Sequence, residues 1–386
     1  MFSLPKRFHF LDVLRGLAAL TVVCFHWNHF WIGVMGRENM APRSWTPFYR
    51  ELFVFYDYGA FGVDFFFTLS GFVFFWKYSQ SIARKEITAR EFFILRLSRL
   101  YPLHLLTLVV VGILQYFYLQ QYSSYFIYPL NDFYHFFLNS IFANMSGFER
   151  GPSFNGPTWS ISIEMQLYVL FFCLCFFGAM KAKYMILIAL VGAGLSLPPL
   201  MSFHGAGLWS FFVGGLVFYG YRWTVEKGEW KFLFKTSLFI LPVLVVLVVA
   251  EIHSNYFFTF LNKYFGDSLP WDQLKHGPGL TAYILRKMVV TGVLFPVIIF
   301  TFALADTRPN TIGPRVSFIG NLSYSSYLLH FPLQMAFVLL FGNDLLLYSL
   351  PATFLMFFLV LVILSLASYN YFETPVQNVI RRKFLK

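Results

Sequence analysis

The chain has 386 residues, of which 58% are hydrophobic and only 12% charged, and its mean hydropathy is +0.62. Ordinary globular domains carry about 25% charged residues, and no soluble fold hides apolar blocks of about 20 residues, a length that spans a bilayer core when helical. The formal net charge is +11, but the basic residues flank the apolar blocks and form no patch on a soluble face, which excludes nucleic acid as the partner.

The expected fold class is therefore an all-α integral membrane protein of about ten transmembrane helices, forming a single domain over residues 1–386. In chain order the spans are expected near 10–33, 52–76, 98–120, 159–180, 184–201, 206–223, 236–252, 283–305, 317–341 and 345–371. The stretch 133–145 is apolar but too short to cross, and reads as an interfacial or re-entrant helix. The first block begins at once, holds Asp12 and Arg15 and lacks a small-residue cleavage site, so no cleavable signal peptide is expected. With the N-terminus inside, 20 of the 29 Lys and Arg fall on inner segments. That bias places both termini in the cytoplasm. The longest outer loops, 121–158 and 253–282, are too short for a soluble catalytic domain. Chemistry is left to the membrane helices and their loops.

Aromatic residues make up 22% of the chain, with 52 Phe and 23 Tyr, and read as helix packing and interfacial anchors. Cys24, Cys173 and Cys175 lie inside apolar blocks, with no disulfide framework and no metal spacing. No metal is expected.

The first span carries Arg15 and His26 eleven residues apart, about three helical turns and nearly the same angular position. They are separated along the axis by roughly 16 Å. Charges inside a bilayer are costly and are functional candidates by default; the alternative is that Arg15 snorkels or pairs with Asp12. In the second span Asp64 lies near the midplane with Ser70 and Gly71 deeper. An acid there needs a partner, and Arg15 or His26 is available. Arg96 and Arg99 open the third span on one face, and two forked guanidinium groups suit a phosphate or pyrophosphate. His104 is a weaker candidate one turn further in.

The fourth span begins with Trp159 and Ser160, and Glu164 follows one turn later on the same face as Ser160. At that depth Glu164 is suited to orient His26 or to help bind an acceptor hydroxyl. The ninth span carries Tyr324, Tyr327 and His330, and Pro332 is expected to break the helix just beyond. A broken helix around polar groups is tolerated where it lines a cavity. Glu373, at the inner interface, is placed to offset an inner arginine.

Together these residues resemble acyltransferase family three, the membrane-bound O-acetyltransferases of bacterial surface sugars. The resemblance rests on LDVLRGLAAL with Arg15 and His26, GVDFFFTLSGF, RLSRLYP with Arg96 and Arg99, TWSISIE ending on Glu164, SYSSYLLHFP with His330, and FETP with Glu373. These motifs come in family order over nearly the whole chain. The resemblance implies a multi-pass inner-membrane enzyme that moves an acyl group, usually acetyl, from cytoplasmic acetyl-CoA to a carbohydrate hydroxyl on the outer side. It implies His26, Glu164 and Arg15 as catalytic residues. Arg15, Arg96, Arg99, His330 and Ser70 would serve the acyl-CoA, and Asp64, Trp159, Ser160 and Tyr324 the acceptor. Relatives with a C-terminal extracytoplasmic hydrolase-like domain complete the transfer there; this chain is expected to lack one, leaving direct transfer or a separate extracytoplasmic partner.

His26 is read either as a general base for the acceptor hydroxyl or as the site of a transient acyl group. The main rival function is a proton-coupled transporter, which would also bury His, Asp and Glu. Against it, the two halves show no internal repeat. A different acyl group, or a lipid or amine acceptor, would keep the same fold. Trp31, Trp45 and Trp271 in the outer loops would suit stacking on a sugar ring, although interfacial aromatics also serve as anchors.

Overall fold

The computed structural model describes residues 5–36, 42–179, 181–197, 200, 202–265, 286–309 and 311–385. Among them all regular structure is helical. Seven helices are long and apolar enough to cross a bilayer, or eight when the bent pair Tyr49–Tyr58 and Phe61–Ala83 counts as one span. Fewer spans than the ten expected meet that measure, for local reasons. Ala182–Ser196 is apolar but has only 15 residues. Phe203–Lys227 is long enough, but its glycines, His204 and Trp209 make it less apolar. The apolar stretch 133–145 forms the short helix Phe133–Ser140, which is too short to cross.

The chain divides into two compact units, each built from separated segments. The first comprises Met1–Leu14, Asp64–Lys85 and Leu170–Ser317. Lipid tails are as apolar as leucine, so small residues and buried polar bonds mark where helices meet. In this unit a Cβ at Gly71 would collide with the Phe211 carbonyl, and one at Gly214 with that of Thr68. Two ion pairs, each with one buried and one partly buried member, add to these contacts: Lys287 Nζ to Asp64 Oδ2 at 3.1 Å and Arg286 to Glu251 at 3.1 Å.

The second unit comprises Arg15–Val63, Glu86–Val169 and Phe318–Lys386. Its longest helix, Ala89–Tyr122, starts at a capping box in which Thr88 and Glu91 satisfy each other's backbone N–H groups. Ser323–Phe341 is its most enclosed helix. Trp27, Phe30 and Trp31 are fully buried in its apolar cluster, with Phe30 stacked on Tyr348 at 4.2 Å. That corrects the expectation for Trp31, because a ring enclosed by the helices cannot stack on an incoming sugar. Trp45 is exposed, and Trp271 lies outside the described residues.

Candidate active site

The first apolar block does not run as one α-helix. His9–Phe25 is α-helical, His26–Asn28 tightens into a single 3₁₀ turn, and the helix resumes at His29. With three residues per turn, side chains at i and i+3 eclipse. His26 and His29 therefore stack, with ring centroids 4.5 Å apart and planes within 15°. His29 was not anticipated; the His-x-x-His spacing was visible, but only the 3₁₀ turn aligns the rings.

Both rings meet the Ser323–Phe341 helix. His26 Nδ1 is 2.8 Å from His330 Nε2, and the two ring planes lie within 8°. His330 Nδ1 in turn lies 2.6 Å from the Tyr327 carbonyl. Gln334 closes the other side: its Nε2 donates to the His26 carbonyl at 2.7 Å, and its Oε1 is 3.1 Å from His29 Nδ1. His330 and Gln334 are fully buried, whereas His26 is only partly so. Of the two roles considered for Glu164, orienting His26 or binding an acceptor hydroxyl, the first falls at Nδ1 to His330.

Pro332 does not break this helix, contrary to expectation. Proline removes the N–H that would bond the carbonyl four residues earlier, that of Leu328. Asn155 Nδ2 donates to the Leu328 carbonyl at 3.1 Å, so the freed acceptor is satisfied and the helix continues to Phe341. A neighbouring side chain does here what a cavity was expected to do.

The same helix collects most of the other foreseen residues, turn by turn. Arg15 Nε donates to Ser323 Oγ and its terminal nitrogen to the Gly320 carbonyl, each at 3.0 Å. Gly16 permits that approach, because a Cβ there would meet the Ile319 backbone. Asp12, the other partner considered for Arg15, pairs with Arg7 at 2.7 Å. Tyr324 donates to the Leu100 carbonyl. Ser325 donates to Glu373, which also accepts from Ser368 at 2.8 Å. Tyr327 gives its proton to the Pro157 carbonyl, so Ser160 is the donor in the 2.7 Å bond between their hydroxyls.

Trp159 and Ser160 open the Trp159–Phe176 helix after a 3₁₀ turn at Gly156–Thr158. One turn on, Glu164 accepts a short hydrogen bond from Tyr168. Arg96 is buried, and the charges of Arg96 and Arg99 both act on Tyr168, while Arg99 also acts on Glu373. Arg381 reaches the same helix from the tail, bonding Ser98 Oγ at 3.2 Å and the Leu95 carbonyl at 3.3 Å. His104 is buried, with Nε2 2.8 Å from the Asn139 carbonyl and its ring against Phe142.

Asp64 and Ser70 belong to the first unit. The partner of Asp64 is Lys287, at 3.1 Å, and not the Arg15 or His26 considered above. Lys287 lies 223 residues further on, and no short-range pattern could have paired the two.

A family model described as an acyltransferase domain matches residues 8–369. A curated relative, protein 2 in the picA locus of Rhizobium radiobacter, is 37% identical over 110 residues. That match covers 28% of this chain and 47% of the relative, so the chain spans about half the relative's length. No solved structure matches the chain.

Proposed function

The chain belongs to the acyltransferase family whose model covers residues 8–369, and from that premise we propose that it carries an acyl group across the inner membrane. The donor is cytoplasmic acyl-CoA, with acetyl the family's commonest group, and the acceptor is a carbohydrate hydroxyl on the outer side. One observation supports this reading above the others: the His26 ring is held by His330 at Nδ1, and the His26 backbone carbonyl by Gln334. A ring held on one nitrogen is built to act at the other.

In this reading His26 takes the proton of the acceptor hydroxyl as its oxygen attacks the thioester carbon. The new bond is an ester, the carbon–sulfur bond breaks, and the CoA thiolate leaves with the proton. Arg96 and Arg99 hold the donor phosphates by charge-assisted bonds. Arg15, fixed by Ser323 and Gly320, steadies the thioester. Glu164 and Ser160 serve the acceptor.

The test is release of free CoA from acetyl-CoA by the detergent-solubilised protein, with binding measured on the same samples for wild type and His26→Ala. Binding by both with reaction only by wild type is the expected result. Absence of acetyl-CoA binding in wild type would remove the donor assignment and bring the transporter reading forward.

A further inference from the structure

We propose that His330 is a positioning residue that sets the tautomer of His26 and receives its Nδ1 proton during turnover; this rests on the acyltransferase reading above. Protons can be counted along one hydrogen-bond chain. A carbonyl oxygen only accepts, so the 2.6 Å contact with the Tyr327 carbonyl puts an N–H on His330 Nδ1. A neutral imidazole has one N–H, which leaves His330 Nε2 as a lone pair. The 2.8 Å bond between His330 Nε2 and His26 Nδ1 then needs a proton from His26. His26 Nε2 is left with its lone pair, and no described residue hydrogen-bonds to it. The nitrogen that must act as base is therefore selected by a backbone carbonyl two residues removed from it in the chain of bonds.

The neighbouring ring is a control within the same turn. Gln334 gives an N–H to the His26 carbonyl, so its Oε1 faces His29 Nδ1, which must carry a proton. Both histidines thus present Nε2 unprotonated. They differ in what lies behind Nδ1. An amide oxygen behind His29 is not a base, whereas the imidazole behind His26 offers a basic lone pair at Nε2 that can receive a proton.

The acceptor hydroxyl gives its proton to His26 Nε2, and the His26 Nδ1 proton passes to His330 Nε2. His330 is then imidazolium, with Nδ1–H still on the Tyr327 carbonyl, and His26 is neutral. When the CoA thiolate departs it takes the proton from His26 Nε2, and the Nδ1 proton returns from His330. No charge is left on the ring that touches substrate.

The test compares wild type, His26→Ala, His330→Ala and His330→Gln by steady-state kinetics with acetyl-CoA, and reads the His26 tautomer in wild type by nitrogen NMR of histidine-labelled protein. His330→Ala is expected to lower kcat about 10²-fold, as for loss of an oriented acid–base group, with KM for acetyl-CoA unchanged. His330→Gln keeps an acceptor for Nδ1–H but takes no proton, and is expected to fall in between. NMR is expected to show His26 protonated at Nδ1 only. An unchanged kcat with a raised KM in His330→Ala would place His330 in the donor site and overturn the proposal. Protonation of His26 at Nε2 in the resting wild type would overturn it whatever the variants do, including a His330→Ala that fails to fold. An inert His26→Ala beside a fully active His330→Ala sinks this proposal alone; a fully active His26→Ala sinks the base reading itself.

Discussion

Buried ionisable groups are handled in opposite ways in the two units. In the first, Lys287 meets Asp64 and Arg286 meets Glu251, and each charge is cancelled by its neighbour. In the second, Tyr327, His330 and His26 form a directed chain of neutral groups that ends on a nitrogen lone pair. A closed pair has its charges spent on each other and mainly joins helices. An open chain still has a group to offer to a substrate. Closure, more than depth or charge, is what separates the structural from the chemical among these residues.

The largest effect should come from removing the open end. His26→Ala is expected to lower turnover about 10³-fold, within the range of positioned acid–base groups, while its folded fraction stays that of wild type. Size-exclusion profile and CoA release on one sample measure both. A well-folded, fully active His26→Ala would mean that the open chain is no more chemical than the closed pairs.

Breaking a closed pair should have the reverse signature. Lys287→Met strands the Asp64 carboxylate and is expected to cost about 3 kcal/mol of stability, as for other buried pairs that lose one member. Replacing both, as Asp64→Leu with Lys287→Met, should recover most of that loss, because the desolvation penalty goes with the charges. Thermal melting in detergent measures the stability, and turnover per folded molecule should hold throughout. If Asp64→Asn instead folds normally and loses turnover with the carbohydrate acceptor alone, Asp64 binds substrate and the contrast between the units is wrong.

What could be read from the sequence was what depends on one helix at a time. The apolar blocks, the three-turn spacing of Arg15 and His26, and the one-turn spacing of Ser160 and Glu164 need only the helical repeat. What could not be read depends on pairing across long separations. His330 is 304 residues from His26, and Lys287 is 223 residues from Asp64, so their meeting belongs to packing. Pro332 was a local signal read as a break, and the helix runs on because Asn155, 173 residues from Leu328, supplies the bond. His29 lies between these cases. Its spacing was local, but its stacking on His26 requires a 3₁₀ turn that helix propensity does not announce.

The Asn155 bond gives the next prediction in size. Asn155→Ala leaves the buried Leu328 carbonyl unpaired and is expected to cost about 2 kcal/mol. Pro332→Ala restores the missing helical N–H, so the pair Asn155→Ala and Pro332→Ala should cost less than Asn155→Ala alone. That non-additive cycle, read by thermal melting, ties the loss to the proline and not to a cavity. Equal costs in both backgrounds would mean that Asn155 acts elsewhere. Because Leu328 lies two residues before His330, turnover should fall in Asn155→Ala beyond the loss of folded protein and return with Pro332→Ala.

The smallest effect tests whether closure or membership of a unit decides the outcome. Asp132 is in the second unit, exposed, and caps Phe133–Ser140 by accepting from the His135 backbone N–H at 2.8 Å and from its Nδ1 at 2.8 Å. The backbone bond, then the ring bond, hold its carboxyl below the ordinary value of 3.8. A carboxyl lowered on folding adds stability above its ordinary value, and that stability is lost as the pH falls through the lower folded value. Asp132→Ala should therefore cost about 1 kcal/mol of local helix stability at neutral pH, as for other lost caps, and the difference from wild type should shrink as the pH falls through the lowered folded value. Amide hydrogen exchange along Phe133–Ser140 measures it. Turnover at neutral pH should be unchanged, although His135 is a buried histidine in the same unit as His26. A His whose carboxylate partner closes the pair would then behave like Lys287, and His26 would differ because its chain of bonds is left open at one nitrogen.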